Sequence, residues 1–134
     1  KLNEYQAAVG LCLLDEIDQI LEHRSRLFEL YRKELNDVIE LPVWHKDANH
    51  NGAYMPILPE TEVSRLKIGE QLTASKIQFR RYFYPSLDKA YPKVKSFGCP
   101  VSNSVAENAL CLPLHMYMTK TDVLKVTSSI KEIY

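Results

Sequence analysis

The 134-residue sequence predicts an α+β domain, a short and mainly antiparallel sheet packed on helices and entered through a long N-terminal helix. Three observations predict it. Apolar residues recur at three- and four-residue steps along the first part of the chain, the period of one helical face. The runs "AYMPILPE" and "LCLPL" are apolar, brief and broken by proline, as short strands are. Thr119 and Asp122 form a Thr-x-x-Asp capping box, the start signal of a last helix.

Taken in order, Tyr5, Val9, Leu13, Ile17, Ile20, Leu27, Tyr31 and Leu35 define a helix from about 3 to 36, with Asn3 as its cap and Pro42 at the exit. Such a helix is about 45 Å long and is expected to project from a small body or bridge to another. Its start, "AAVGLCLL", is apolar on every side and is expected to be covered all round. Farther on, Glu22, His23, Arg24, Arg26, Glu29, Arg32, Lys33 and Glu34 supply a solvated face. The α/β body spans about 41–134. "HKDANHNG" reads as a polar loop and "AYMPILPE" as an edge strand. Residues 61–75 read as a helix buried through Val63, Leu66, Ile68 and Leu72, and 77–84 as a second strand. "KAYPKVKSFGCPVSN" is loop, "SVAENAL" a short helix and "LCLPL" a third strand. The last helix carries Val123, Val126, Ile130 and Ile133. The order is α-β-α-β-α-β-α, which suits helices layered on a small sheet.

Composition excludes whole classes of function. Lys plus Arg equals Asp plus Glu at 17 each, which argues against a general nucleic-acid binder or a polybasic membrane-surface protein. No apolar run approaches the ~20 residues of a membrane span. Cys12, Cys99 and Cys111 lack metal-ligand spacing and read as reduced thiols of a cytoplasmic protein, Cys12 and Cys111 within apolar runs that imply burial. His23, His45, His50 and His115 lack metal-ligand spacing too, His45 and His50 flanking a polar loop, so no metal site is expected. There is no glycine-rich phosphate loop. Cys111 has no basic neighbour in sequence to make it a nucleophile.

The strongest local signal is "KIQFRRYFYPSLDKAYP", residues 76–92, which concentrates arginine and aromatic side chains in a neutral chain. Strand alternation places Phe79, Arg81 and Phe83 on one face and Gln78, Arg80, Tyr82 and Tyr84 on the other. One reading is packing: the phenylalanines are core and the arginines pair with acids or stack on tyrosines. The other is an anionic ligand, since guanidinium forks match phosphate oxygens and tyrosines offer rings and hydroxyls.

Three segments, in order and spacing along essentially the whole chain, resemble the DegT/StrS sugar aminotransferases. "KLNEYQAAVGLCLLDEID" is similar to the family segment Arg/Lys-Met-x-Glu-x-Gln-Ala-Ala-hydrophobic-Gly that opens the helix leading into the small domain. "RRYFYPSL" resembles the strand and Tyr-Pro turn of that domain, and "CLPLHMYMTKTDVLKV" its Leu-Pro-Leu-His segment and Thr-capped final helix. The resemblance implies the C-terminal small domain of a fold-type-I enzyme dependent on pyridoxal phosphate. Such an enzyme moves an amino group, from glutamate, to a keto sugar carried on a nucleotide, in surface polysaccharide or deoxysugar synthesis. It implies a cytoplasmic homodimer without nucleic-acid or membrane partners.

On this reading residues 1–134 are a single small domain, a piece cut from a longer protein and inactive alone. The cofactor-binding large domain is absent, and with it the Schiff-base lysine and the Asp that pairs with the cofactor's ring nitrogen. No catalytic residue is therefore assigned to this chain. Lys1 matches a basic family position beside an Asn, itself preceding this chain, that reaches the partner subunit's cofactor phosphate, and is the one cofactor-binding candidate, at the dimer interface. Arg80, Arg81, Tyr82 and Tyr84 are the substrate-binding candidates, with Arg80 favoured as ligand and Arg81 as structural; His115 is expected to make a structural hydrogen bond. Two other readings stay open: a dehydratase on the same scaffold, and a non-catalytic α+β interaction module whose long helix docks a partner.

Overall fold

The computed structural model of the chain describes residues 2–48, 51–93 and 95–134. Lys1 and His50 therefore lie outside the described residues. The helical run expected over 3–36 is observed as two helices end to end, α1 (Glu4–Asp15) and α2 (Ile17–Leu35). Asn3 caps α1 as expected, its side chain accepting from the Gln6 N–H while the Gln6 side chain accepts from the Asn3 backbone N–H. The interruption is one residue, Glu16, whose N–H bonds back to the Leu13 carbonyl at 3.2 Å, a tighter turn than the α-helical one.

The two helices differ sharply in burial. α2 buries Ile20, Leu27, Phe28, Tyr31 and Leu35, whereas no described residue of α1 is buried. The apolar run expected to be covered all round thus lies open, with Tyr5 at 87% exposure. Cys12, expected inside, is exposed with it; Cys111 is buried as expected. Spacing identified the apolar surface, but a helix apolar on every side needs neighbours on every side, and these residues do not supply them.

The sheet has two strands among the described residues, β1 (Met55–Ile57) and β2 (Leu110–Leu112), antiparallel with Met55 opposite Leu112 and Ile57 opposite Leu110. Pro56 faces Cys111, whose own N–H and C=O both point the other way, to Arg80. That makes Pro56–Cys111 a non-hydrogen-bonded pair, where the missing proline N–H is not needed. Helices α3 (Glu62–Ala74) and α6 (Lys120–Lys131) join α2 in covering this sheet. Phe28, Tyr31 and Leu35 meet Ile68 and Leu72, Val123, Val126 and Ile130, and Met55, Ile57, Leu110 and Leu112 in one core. α6 starts at the expected capping box: Thr119 N–H donates to Asp122 Oδ2 at 2.7 Å, and Asp122 N–H donates to Thr119 Oγ1. Two long-range bonds tie α2 to the approach to α6, from Tyr31 Oη to the Pro113 carbonyl at 3.0 Å and from His23 Nε2 to the Met118 carbonyl at 2.9 Å.

Other expectations shift. Val63 and Leu66 are exposed on α3, and the inward positions are Arg65, Ile68 and Leu72. The loop expected after the Tyr-Pro turn contains α4 (Leu87–Ala90), and α5 (Pro100–Asn108) begins earlier than "SVAENAL" because Pro100 occupies its first turn. No described helix is long and apolar enough to cross a membrane.

Candidate functional site

Just past the end of α3 stands Lys76, a non-glycine residue at φ 57°, where the Ile77 N–H reaches back to the Leu72 carbonyl at 2.8 Å and the Lys76 N–H to the Thr73 carbonyl. The chain then extends. Ile77 and Phe79 pack on the core, while Gln78 and Arg80 are exposed.

The expected strand over 77–84 is reduced to one bridge, Arg80 with Cys111, bonded at 3.0 and 2.7 Å. The reason lies in the partner. In this register the next bonded pairs would be residue 78 with Pro113, which has no N–H, and residue 82 with Ala109. The Ala109 N–H already donates to Val105 at 2.8 Å, closing α5. Pairing stops on both sides, and with it the alternation of faces.

The four substrate-binding candidates are therefore distributed differently from the sequence reading. Arg80 stands apart, its exposed side chain beside Lys76 and Gln78 in an open cleft of about 460 Å³ floored by Ile77 and Phe79. Arg81 and Tyr84, expected on opposite faces, are together: the guanidinium carbon sits 4.0 Å from the Tyr84 ring centroid. Arg81 Nη2 also donates to the Glu107 carbonyl at 2.9 Å, serving the open C-terminal end of α5. Tyr82 meets Tyr54 edge-on with centroids 5.2 Å apart and stacks on Phe83 at 5.0 Å. Phe83 is not core, as alternation implied, but 72% exposed.

Sequence reading missed Tyr54, Arg65 and Glu107, which come beside these residues only through tertiary contact; no local motif marks them. Below the segment, Ser86 is buried and hydrogen-bonds both Asp88, at 2.8 Å, and Asn103. The Ser86 hydroxyl holds the Asp88 carboxyl below its ordinary range, and burial pushes the Cys111 thiol up, away from nucleophile behaviour. His115 accepts from the Tyr117 N–H at 3.3 Å, the structural use expected of it.

The arrangement offers separated cations and a shelf of exposed rings, suited to an anionic ligand with a flat group. The family model for the DegT/DnrJ/EryC1/StrS aminotransferases matches residues 1–131. The chain belongs to this family. As a member it is 34% identical to the dTDP-4-amino-4,6-dideoxy-D-glucose transaminase of Shigella dysenteriae, over 99% of this chain and 38% of that protein. The Escherichia coli transaminase of the same name is 31% identical over 95% of this chain and 37% of its own length. Among solved structures, a DegT DnrJ EryC1 StrS aminotransferase from Brucella abortus superposes with a TM-score of 0.86 at 30% identity, covering 98% of this chain and 36% of that one. This family member thus spans a little over a third of the length of the relatives it matches.

Proposed function

We propose that the chain is the small domain of a pyridoxal-phosphate-dependent aminotransferase that moves an amino group, from glutamate, to a keto sugar carried on a nucleotide. The observation that carries this reading is the likeness to the dTDP-sugar transaminase of Shigella dysenteriae over 99% of the chain. The intact enzyme works as a cytoplasmic homodimer in surface polysaccharide or deoxysugar synthesis.

Pyridoxal phosphate needs a buried lysine to form its Schiff base and an acidic partner for its ring nitrogen. Every described lysine of this chain is exposed, so the residues present do not fit the cofactor. Its binding and the chemistry belong to parts of the enzyme outside this chain. Lys1, beyond the described residues, is the one candidate for a cofactor contact.

The small domain's share is to hold the substrate. Arg80, with Lys76 beside it, takes the diphosphate, because both side chains are exposed cations over one cleft. Tyr82 and Tyr84 present rings and hydroxyls to the sugar or base, and Arg81 holds Tyr84 from beneath. The test is kinetic and uses the full-length enzyme. A hydrogen bond to a charged group is worth about 1.5–3 kcal/mol, so Arg80→Met is expected to raise the KM for the nucleotide sugar roughly ten- to a hundredfold while sparing the glutamate half-reaction. Arg81→Met is expected to lower the melting temperature with a smaller change in KM. Unchanged nucleotide-sugar kinetics in both variants would make this segment packing alone.

A further inference from the structure

Beside α4 lies a largely apolar cleft of about 400 Å³ that neither the core nor the Arg80 site uses. Leu87 and Tyr91, one helical turn apart, form one wall, and Phe97, in the segment that leads to α5, forms the other. All three side chains are bare, Phe97 at 91% exposure.

The charge here is lopsided. From Ser86 to Glu107 the sequence holds Lys89, Lys93 and Lys95 against Asp88 and Glu107, one positive charge in excess. Both acids are already engaged. Asp88 accepts from the Ser86 hydroxyl at 2.8 Å and from the Asn103 amide at 3.2 Å, and Glu107 pairs with Lys89. Lys93 and Lys95 pair with no carboxylate among the described residues. Lys95 lines the cleft itself, its ammonium 5.2 Å from the Phe97 ring centroid.

α1 is the complement on both counts. From Leu2 to Glu22 the sequence has no lysine or arginine, but it has Glu4, Asp15, Glu16, Asp18 and Glu22. Helical spacing puts the exposed Leu11 and Leu14 on the side of α1 that carries Glu4 and Asp15. Packing this side on its own copy, parallel or antiparallel, would set carboxylate against carboxylate. The α4 cleft offers it apolar rings and unpaired ammonium groups instead.

We propose that the Leu11–Leu14 side of α1 docks in the Leu87–Tyr91–Phe97 cleft of a second copy of this chain, with Glu4 and Asp15 toward Lys93 and Lys95. Two copies that exchange helices close a pair in which both clefts are filled. The contact uses surfaces of this chain alone and does not rest on the aminotransferase reading.

Two variants separate the halves of the contact. Leu11→Lys with Leu14→Lys removes the helix face and keeps the cleft, whereas Phe97→Asp removes the cleft and keeps the helix. None of these residues is buried, so both chains are expected to keep the circular dichroism of the fold. Tyr91→Asp, at a second exposed position of the cleft, carries the test should Phe97→Asp not fold. In sedimentation the unchanged chain is expected to associate reversibly, and each variant at least about tenfold more weakly. Mixed in equal amounts, the two variants are expected to form a one-to-one complex, since one brings an intact cleft and the other an intact α1. Lys93→Glu with Lys95→Glu is expected to weaken the pairing about tenfold at low salt, the loss shrinking as salt is raised. A monomeric unchanged chain, undiminished association in the cleft variant or in the lysine reversal, or a mixture that stays monomeric would each overturn the contact.

Discussion

Lys76 sits in the left-handed region that closes α3, at φ 57°, where a β-carbon crowds the following carbonyl and glycine is the usual occupant. Lys76→Gly is expected to raise stability by about 1 kcal/mol, read as a higher denaturation midpoint at unchanged slope. A lowered midpoint would mean that the lysine side chain holds something the strain does not outweigh. Lys76 also stands in the Arg80 cleft, which supplies a use for keeping it. At this scale the sequence was partly legible. Arg80 was favoured as the ligand and Arg81 as the structural arginine; Arg80 is exposed, and Arg81 is half-buried against Tyr84 and the Glu107 carbonyl. Their neighbours were not legible, because alternation presumes a continuing ladder. The ladder ends at Arg80 for a reason that lies thirty residues away, in Pro113 and in an Ala109 N–H already committed to α5.

α1 is the element that the described residues leave unsupported. Leu2, Tyr5, Val9, Leu11, Leu13 and Leu14 are all exposed, Leu11 and Leu14 on the opposite side of the helix from Tyr5, Val9 and Leu13, more bare apolar surface than soluble monomers usually carry on one helix. The isolated chain is expected to self-associate through this helix, and Leu11→Lys with Leu14→Lys to reverse the association without unfolding the body, since neither residue is buried. Sedimentation is the measurement, and a clean monomer across a wide concentration range would count against it. The capped elements were the most legible: Asn3 and Thr119 announced their helices because capping is local chemistry written within four residues. The Glu16 interruption has no comparable signal, since Asp15, Glu16 and Ile17 continue the helical pattern without glycine or proline.

At the scale of the whole fold, three carboxyls among the described residues are held below their ordinary range: Glu34 by a hydrogen bond from Lys131, Asp88 by the Ser86 hydroxyl and Asp122 by the Thr119 N–H. Depressed folded-state values mean that these groups stabilise the fold fully above their ordinary values of 4.5 for Glu34 and 3.8 for the aspartates, and lose that contribution as pH falls through the folded values. The melting temperature should therefore hold through neutral and mildly acidic pH and fall below pH 4.5, the fall shrinking in an Asp122→Asn chain. A melting temperature level down to about pH 3 would remove these pairs from the account. The overall architecture was legible because α2 and α6 each show a periodic apolar face that finds the same small sheet, while on α3 only Ile68 and Leu72 of the four expected apolar positions turn inward. The clefts were not, because they are made by residues far apart in sequence. The break at Glu16 has a mechanical consequence as well. α1 is twelve residues, about 18 Å long, and the body's buried contacts begin beyond the break, at Ile20. Glu16 is then the fulcrum of a lever: a tilt of about 10° there carries the far end of α1 by about 3 Å. Whatever is fixed to that end is re-aimed relative to the Arg80 cleft while no side chain of the core has to move.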